Sequence, residues 1–238
     1  LADIEALRPL SVGYSDDGNG IQTEPLMREA MKRIAAVDGI IAAHCEDDSL
    51  LHAGYIHDGE YAKLHGHKGI CSASEYEQIA RDLKLVEETG CKYHVCHIST
   101  KEEIEMARAA KAINPDITAE TSANYLWFSN EDYARMGSRM KCNPSVKTTG
   151  DRQALREALA SGAIDTIGSD HAPHLLSEKD EKYCKAPSGL PSIQQSLPVL
   201  ITVADQEEIP LTRIASVFSE KAADIYGLKR GKIAQGYA

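Results

Sequence analysis

The octapeptide IGSDHAPH, residues 167–174, places Asp170 after an apolar run and beside two imidazoles, His171 and His174, with Pro173 holding the second out of a helix. A carboxylate crowded against imidazoles suits a divalent metal, proton transfer, or both. Three other apolar runs end in the same kind of residue: IIAAH at His44, YHVCH at His97 and VGYSDD at Asp16 and Asp17. Taken singly, a strand-end histidine is ordinarily structural and Asp-Asp-Gly is ordinarily a turn. Taken together, they are imidazoles and carboxylates opening into one mouth, a donor set for zinc or a similar ion. Such an ion lowers the pKa of water to about 7 and polarises a carbonyl. Asp170 is then the candidate to carry the proton between nucleophile and leaving nitrogen, while His174 faces the substrate.

The remaining histidines read as ordinary. His52, His57, His65 and His67 fall in a polar segment, 45–73, and are expected at the surface. His94 lies three residues before His97 and is expected on the opposite face, as are Cys45 and Cys96, each next to a proposed ligand. His171 should also turn away from the site and act as a hydrogen-bonding support.

Elements that could position these groups follow from the hydrophobic pattern. Residues 9–15, 39–44, 91–97, 116–122 and 163–169 read as strands buried on both faces. Helical periodicity runs through 24–37. Residues 74–90 read as a helix opened by a Ser74/Glu77 capping box and closed by Gly90; Thr100 with Glu103 opens the next, and 151–162 closes on Gly162. Alternation of this kind predicts parallel strands with crossover helices. No GxGxxG or GxxxxGK[ST] follows any strand, so nucleotide-binding open sheets lose their support. Candidate ligands at the carboxyl ends of four of five strands point instead to a β/α barrel, whose active site lies there. Eight strands are needed and five are found. The strand beginning almost at Leu1 and the terminal GKIAQGYA, which reads as another strand cut short, give the expectation of a piece of a longer chain.

Composition narrows the classes. The 238 residues are 42% hydrophobic and 26% charged, enough for one substantial core, and a formal net charge of −10 argues against a nucleic-acid partner. No apolar run approaches the roughly 20 residues of a membrane span, and LADIEALRPL lacks a basic stretch leading into an apolar core. A cytoplasmic protein is expected. Six cysteines without CxxC spacing read as reduced, buried thiols.

In order and spacing, YSDDG, AHCED, YHVCHIST, KCNPS, SDHAPH and KAPSG resemble the type I dihydroorotases of the amidohydrolase superfamily over essentially the whole chain. The resemblance implies a metal-dependent (β/α)8 TIM-type barrel, with about the last five strands in residues 1–238 and the flanking β-sandwich segments absent. It also implies reversible closure of N-carbamoyl-L-aspartate to (S)-dihydroorotate in pyrimidine synthesis. Carried over residue by residue, Asp17 becomes a bridging carboxylate, His44 and His97 ligands of one zinc, and Asp170 a ligand and general acid/base. Asn143, His174, Ser188 and Gly189 match substrate-binding positions. Two zinc ions per complete site, a homodimer and an aspartate transcarbamoylase partner are further implications. Hydantoinases, dihydropyrimidinases and allantoinases are similar, though they usually carry a carboxylated lysine where Asp17 stands; a non-catalytic scaffold subunit is the rival from another class. The family's first-strand H-x-H pair, its arginine and its asparagine are missing from this sequence, and Asn124 and Tyr125 replace a usual histidine pair. The chain alone is therefore expected to fall short of full activity.

Overall fold

The computed structural model describes residues 1–238. Five parallel strands form the framework: β1 (Tyr14–Ser15), β2 (Ile40–Ala43), β3 (Lys92–Val95), β4 (Ile117–Ser122) and β5 (Thr166–Gly168), hydrogen-bonded in that order. Register is set by pairs such as Ile40 with Lys92, Tyr93 with Ile117 and Glu120 with Thr166. Four helices return the chain between them: α1 (Glu24–Ala36), α2 (Ala73–Thr89), α3 (Lys101–Ile113) and α4 (Thr149–Ser161). Each packs against the next along one face of the sheet. Successive parallel neighbours joined by helices on one side are an arc of a β/α barrel.

The core lies between strands and helices. Met27, Met31 and Ile34 of α1, Ile79 and Val86 of α2, Ile104 of α3 and Leu155 and Leu159 of α4 recur at helical spacing and meet Ile41, Ala43, Tyr93 and Val95. Tyr93 reaches through this layer to donate its hydroxyl proton to Asp82 Oδ2 at 2.9 Å. On the sheet's other face lie polar groups: His94 meets Thr118 at 2.7 Å and Glu120 at 3.3 Å.

Local signals set several boundaries. Thr100 and Glu103 form the expected reciprocal capping box, and Gly90 and Gly162 close α2 and α4 in the left-handed conformation. Others differ. The first strand shrinks to Tyr14–Ser15 because Pro9 leads Arg8–Leu10 into a 3-10 turn. Ser74 and Glu77 do not cap α2, which begins at Ala73; Ser74 sits buried in the first turn and bonds Cys71 O. Helix α4 starts before Asp151, capped by Thr148 with Asp151. A helix absent from the pattern reading, α5 (Ile193–Gln206), runs through Pro198, and residues 231–238 form bends and a turn in place of a strand.

Segment 45–73 is more ordered than its polarity suggests. Ile56–His57 pairs with Gly69–Ile70 as a small separate parallel ladder. That ladder buries His57, leaving it 8% exposed, whereas His52 and His65 are exposed as expected. All six cysteines are free; Cys45, Cys91 and Cys142 are buried and Cys184 is exposed.

Candidate metal centre and its cleft

Each strand end delivers one group. Along β2, Ile41, Ala43 and Cys45 alternate toward the helices, where Cys45 Sγ lies 3.3 Å from the Tyr93 hydroxyl, so His44 turns to the mouth. Along β3 the same alternation would send His97 toward the helices after Tyr93 and Val95. A left-handed backbone at His97, φ 38°, swings its ring to His44 instead. The two-residue alternation therefore separates His94 from His97, but a turn brings His97 into the mouth. Cys96 joins His94 and Glu120 on the inner face, their ligand atoms within 4.8 Å of one another. Asp170 also has positive φ, 45°. Non-glycine residues in this region are uncommon and gather at functional sites.

The paired aspartates divide their work. Asp16 accepts the backbone N–H of His44 at 2.9 Å and that of Ile21 at 2.7 Å, tying the β1 and β2 loops together. Asp17 is left to turn its Oδ1 toward His44 Nδ1 at 3.7 Å and His97 Nε2 at 3.8 Å. Those two nitrogens are 2.9 Å apart. A triangle with these sides has a circumradius of about 2.0 Å, the length of a zinc–nitrogen or zinc–oxygen bond. Two imidazole nitrogens this close cannot both offer lone pairs without a proton or cation between them. The donor set fits a divalent ion.

With no cation between these groups, the carboxylates favour a proton in its place. Burial alone would lower the His44 pKa, but hydrogen bonds to Asp17 and Glu46 overcome it and raise it to about 10. The two histidines hold the Asp17 carboxyl far below the ordinary carboxylate range. Burial raises Asp170 above that range, against the pull of His97.

Asp17, His44, Asn143, Asp170, Ser188 and Gly189, six of the eight residues singled out from sequence, line one cleft of about 340 Å³, together with Glu46. His97 stands behind them, buried against His44. Asn143 Oδ1 accepts the Ser188 hydroxyl at 2.7 Å, fixing one wall. His174 departs from expectation: its Nε2 meets Ser188 O at 2.9 Å and it lines a neighbouring, mainly apolar cavity of about 350 Å³ with Trp127, Phe128 and Leu190. His171 turns away as expected, its Nδ1 accepting the N–H groups of Ser192 and Ile193 at the start of α5. Sequence reasoning passed over Glu46, whose Oε2 lies 2.9 Å from His44 Nε2. The signal was its place two residues after His44 in AHCED.

Residues 1–103 match the family model described as Dihydro-orotase-like. Dihydroorotase of Geobacillus sp. (strain WCH70) is 42% identical over 238 residues, covering 99% of this chain and 56% of its own length. That of Listeria innocua is likewise 42% identical, with the same coverage. The chain thus spans about half the length of these curated relatives. Among solved structures, L-hydantoinase from Arthrobacter aurescens superposes with a TM-score of 0.87 at 25% identity, covering 99% of this chain and 56% of that one. Dihydroorotase from Saccharomyces cerevisiae in complex with 5-fluoroorotic acid superposes at 0.75 with 20% identity, covering 95% and 64%, a likeness of fold alone.

Proposed function

We propose that the chain belongs to the dihydroorotase-like family and that its strand ends form the metal-holding wall of a dihydroorotase active site. The reaction is reversible hydrolysis of the cyclic amide of (S)-dihydroorotate to N-carbamoyl-L-aspartate, a step of pyrimidine synthesis in the cytoplasm. One observation carries the reading: Asp17 Oδ1, His44 Nδ1 and His97 Nε2 are spaced to share one zinc ion. Residues 1–238 form part of one barrel domain.

Zinc held by these three residues would supply Lewis-acid activation of water and of the scissile carbonyl. The chain's own groups do the rest. Asp170, on the same cleft and held by a left-handed turn, takes the proton of the attacking water and gives it to the ring nitrogen as the C–N bond breaks. Asn143 and Ser188, locked to each other, and the Gly189 backbone line the substrate side. Gly189 has φ +127° and packs against Ala172, so no side chain fits there and the peptide stays open to a ring.

The test is zinc content by elemental analysis of the wild-type chain and of His44→Ala and Asp17→Asn, with rates on dihydroorotate and on 5-substituted hydantoins. Zinc in the wild type, its loss in both variants and preference for dihydroorotate are expected. A wild-type chain that takes no zinc overturns the metal assignment, and preference for hydantoins moves the substrate to the rival class.

A further inference from the structure

His44 is held at both ring nitrogens. Nδ1 faces Asp17 and His97; Nε2 faces Glu46 Oε2 at 2.9 Å. The side-chain partners on the two edges compete for the single proton of a neutral imidazole. If Nδ1 carries it, the lone pair that a cation needs is gone. If Nε2 carries it, Nδ1 is free. Glu46, an acceptor when ionised and buried to 4% exposure, is the one side-chain partner on the Nε2 edge. The backbone of His44 is fixed separately, its N–H by Asp16 and its carbonyl by Gln78 Nε2 at 3.0 Å, so neither sets the ring's tautomer.

From this arrangement we infer that Glu46 is the positioning residue of the metal centre: it fixes His44 as the Nε2–H tautomer and so presents Nδ1 to the ion. The inference rests on the metal reading of the Asp17, His44 and His97 cluster. Glu46 lies across the imidazole from that cluster, which separates it from a ligand's role. A carboxylate behind a ligating histidine also makes the ring a better donor. The same Oε2 receives the Asn143 side-chain N–H at 3.4 Å, and Asn143 Oδ1 in turn accepts from Ser188. Glu46 therefore joins the metal ligand to the wall proposed to receive substrate.

The experiment is zinc affinity, measured by competition with a chromophoric chelator, for the wild-type chain, Glu46→Gln, Glu46→Ala and Asn143→Ala. Visible spectra of the cobalt(II)-loaded proteins are recorded beside it. Glu46→Gln keeps shape and an acceptor but removes charge; a 10- to 100-fold loss of affinity on the order seen for such outer partners is expected, and more for Glu46→Ala. Shifted cobalt d–d bands should accompany the loss, because the donor strength of His44 changes. Asn143→Ala cuts the other arm of Glu46 and should keep both affinity and spectrum near wild type. If Asn143→Ala falls as far as Glu46→Gln, Glu46 only shapes the cleft and the inference is lost. Wild-type affinity with unchanged bands in Glu46→Gln overturns it equally. If the wild-type chain binds neither metal, the metal reading fails first and the inference falls with it. Should Glu46→Ala fail to fold, the near-isosteric Gln variant carries the test.

Discussion

Replacing His57 with phenylalanine should flatten the acid side of the stability profile. Burial in the small Ile56–His57 ladder, helped by the nearby Lys147 charge, pushes the His57 pKa from 6.5 down to about 4. Its Nδ1 has no partner, and the Asp151 and Asp58 charges offset only part of the cost of a proton. The sign follows from linkage. Between these two values the unfolded chain binds a proton that the folded chain refuses, so the stability present above pH 6.5 is lost as pH falls toward 4. At pH 5 the loss relative to pH 7.5 comes to about 2 kcal/mol, with a limit of about 3.4 kcal/mol below pH 4 at about 1.36 kcal/mol per unit. Urea unfolding at pH 7.5 and 5.0, followed by circular dichroism, gives the change for each protein. Carboxylates titrate in both, so the quantity read is the difference between wild type and His57→Phe. Whatever phenylalanine costs at pH 7.5 cancels. If both proteins lose the same stability between the two pH values, His57 is not held neutral by its surroundings and the reasoning is refuted.

Two further perturbations probe the frame around the site. Tyr93→Phe removes the hydroxyl that meets Asp82 and Cys45 inside the core and should cost about 1–3 kcal/mol, measured by urea unfolding, since a buried acceptor is left short of its donor. An effect below a few tenths would show that Arg81, whose Nε donates to Asp82 Oδ1 at 2.8 Å, alone satisfies Asp82. Gly189→Ala must place a methyl against Ala172 at a φ that L-residues avoid; the loop should shift, weakening KM for dihydroorotate while zinc content stays at the wild-type value. Loss of zinc in that variant would mean the loop supports the metal centre as well.

The strand-end groups were legible because their signal is local. His44 and Asp170 each close an apolar run, and a run buried on both faces can end in a polar group only at its rim. His97 reaches the mouth through its own left-handed backbone, which alternation does not reveal. Glu46 lies with Asp47 and Asp48 in an acidic run of the polar segment, where Asp47 serves the turn by accepting Ser49. Only the approach of His44 and Asn143, 97 residues apart from Glu46 in the latter case, separates Glu46 from that run. His57 escaped for the same reason, because two short strands in a polar segment bury it through a pairing that composition does not encode. Helix α5 carries Pro198, a residue that ordinarily breaks helices, in its interior.

The left-handed turn at Asp170 also decides how its role is best tested. An alanine there would remove the carboxylate and add backbone strain of roughly 1–2 kcal/mol, so a lost rate would have two explanations. Asparagine is several-fold enriched in that conformation and nearly matches aspartate in shape. Asp170→Asn therefore alters charge and proton capacity and leaves the turn intact. Because Asp17, His44 and His97 form a complete triangle without Asp170, the variant should keep at least part of its zinc. Its turnover of dihydroorotate should fall by about 10²–10⁴-fold, the usual worth of a positioned proton carrier. Zinc retained with turnover lost would separate proton transfer from metal binding at one residue. Unchanged turnover would remove Asp170 from the chemistry and leave its positive φ without a functional cause.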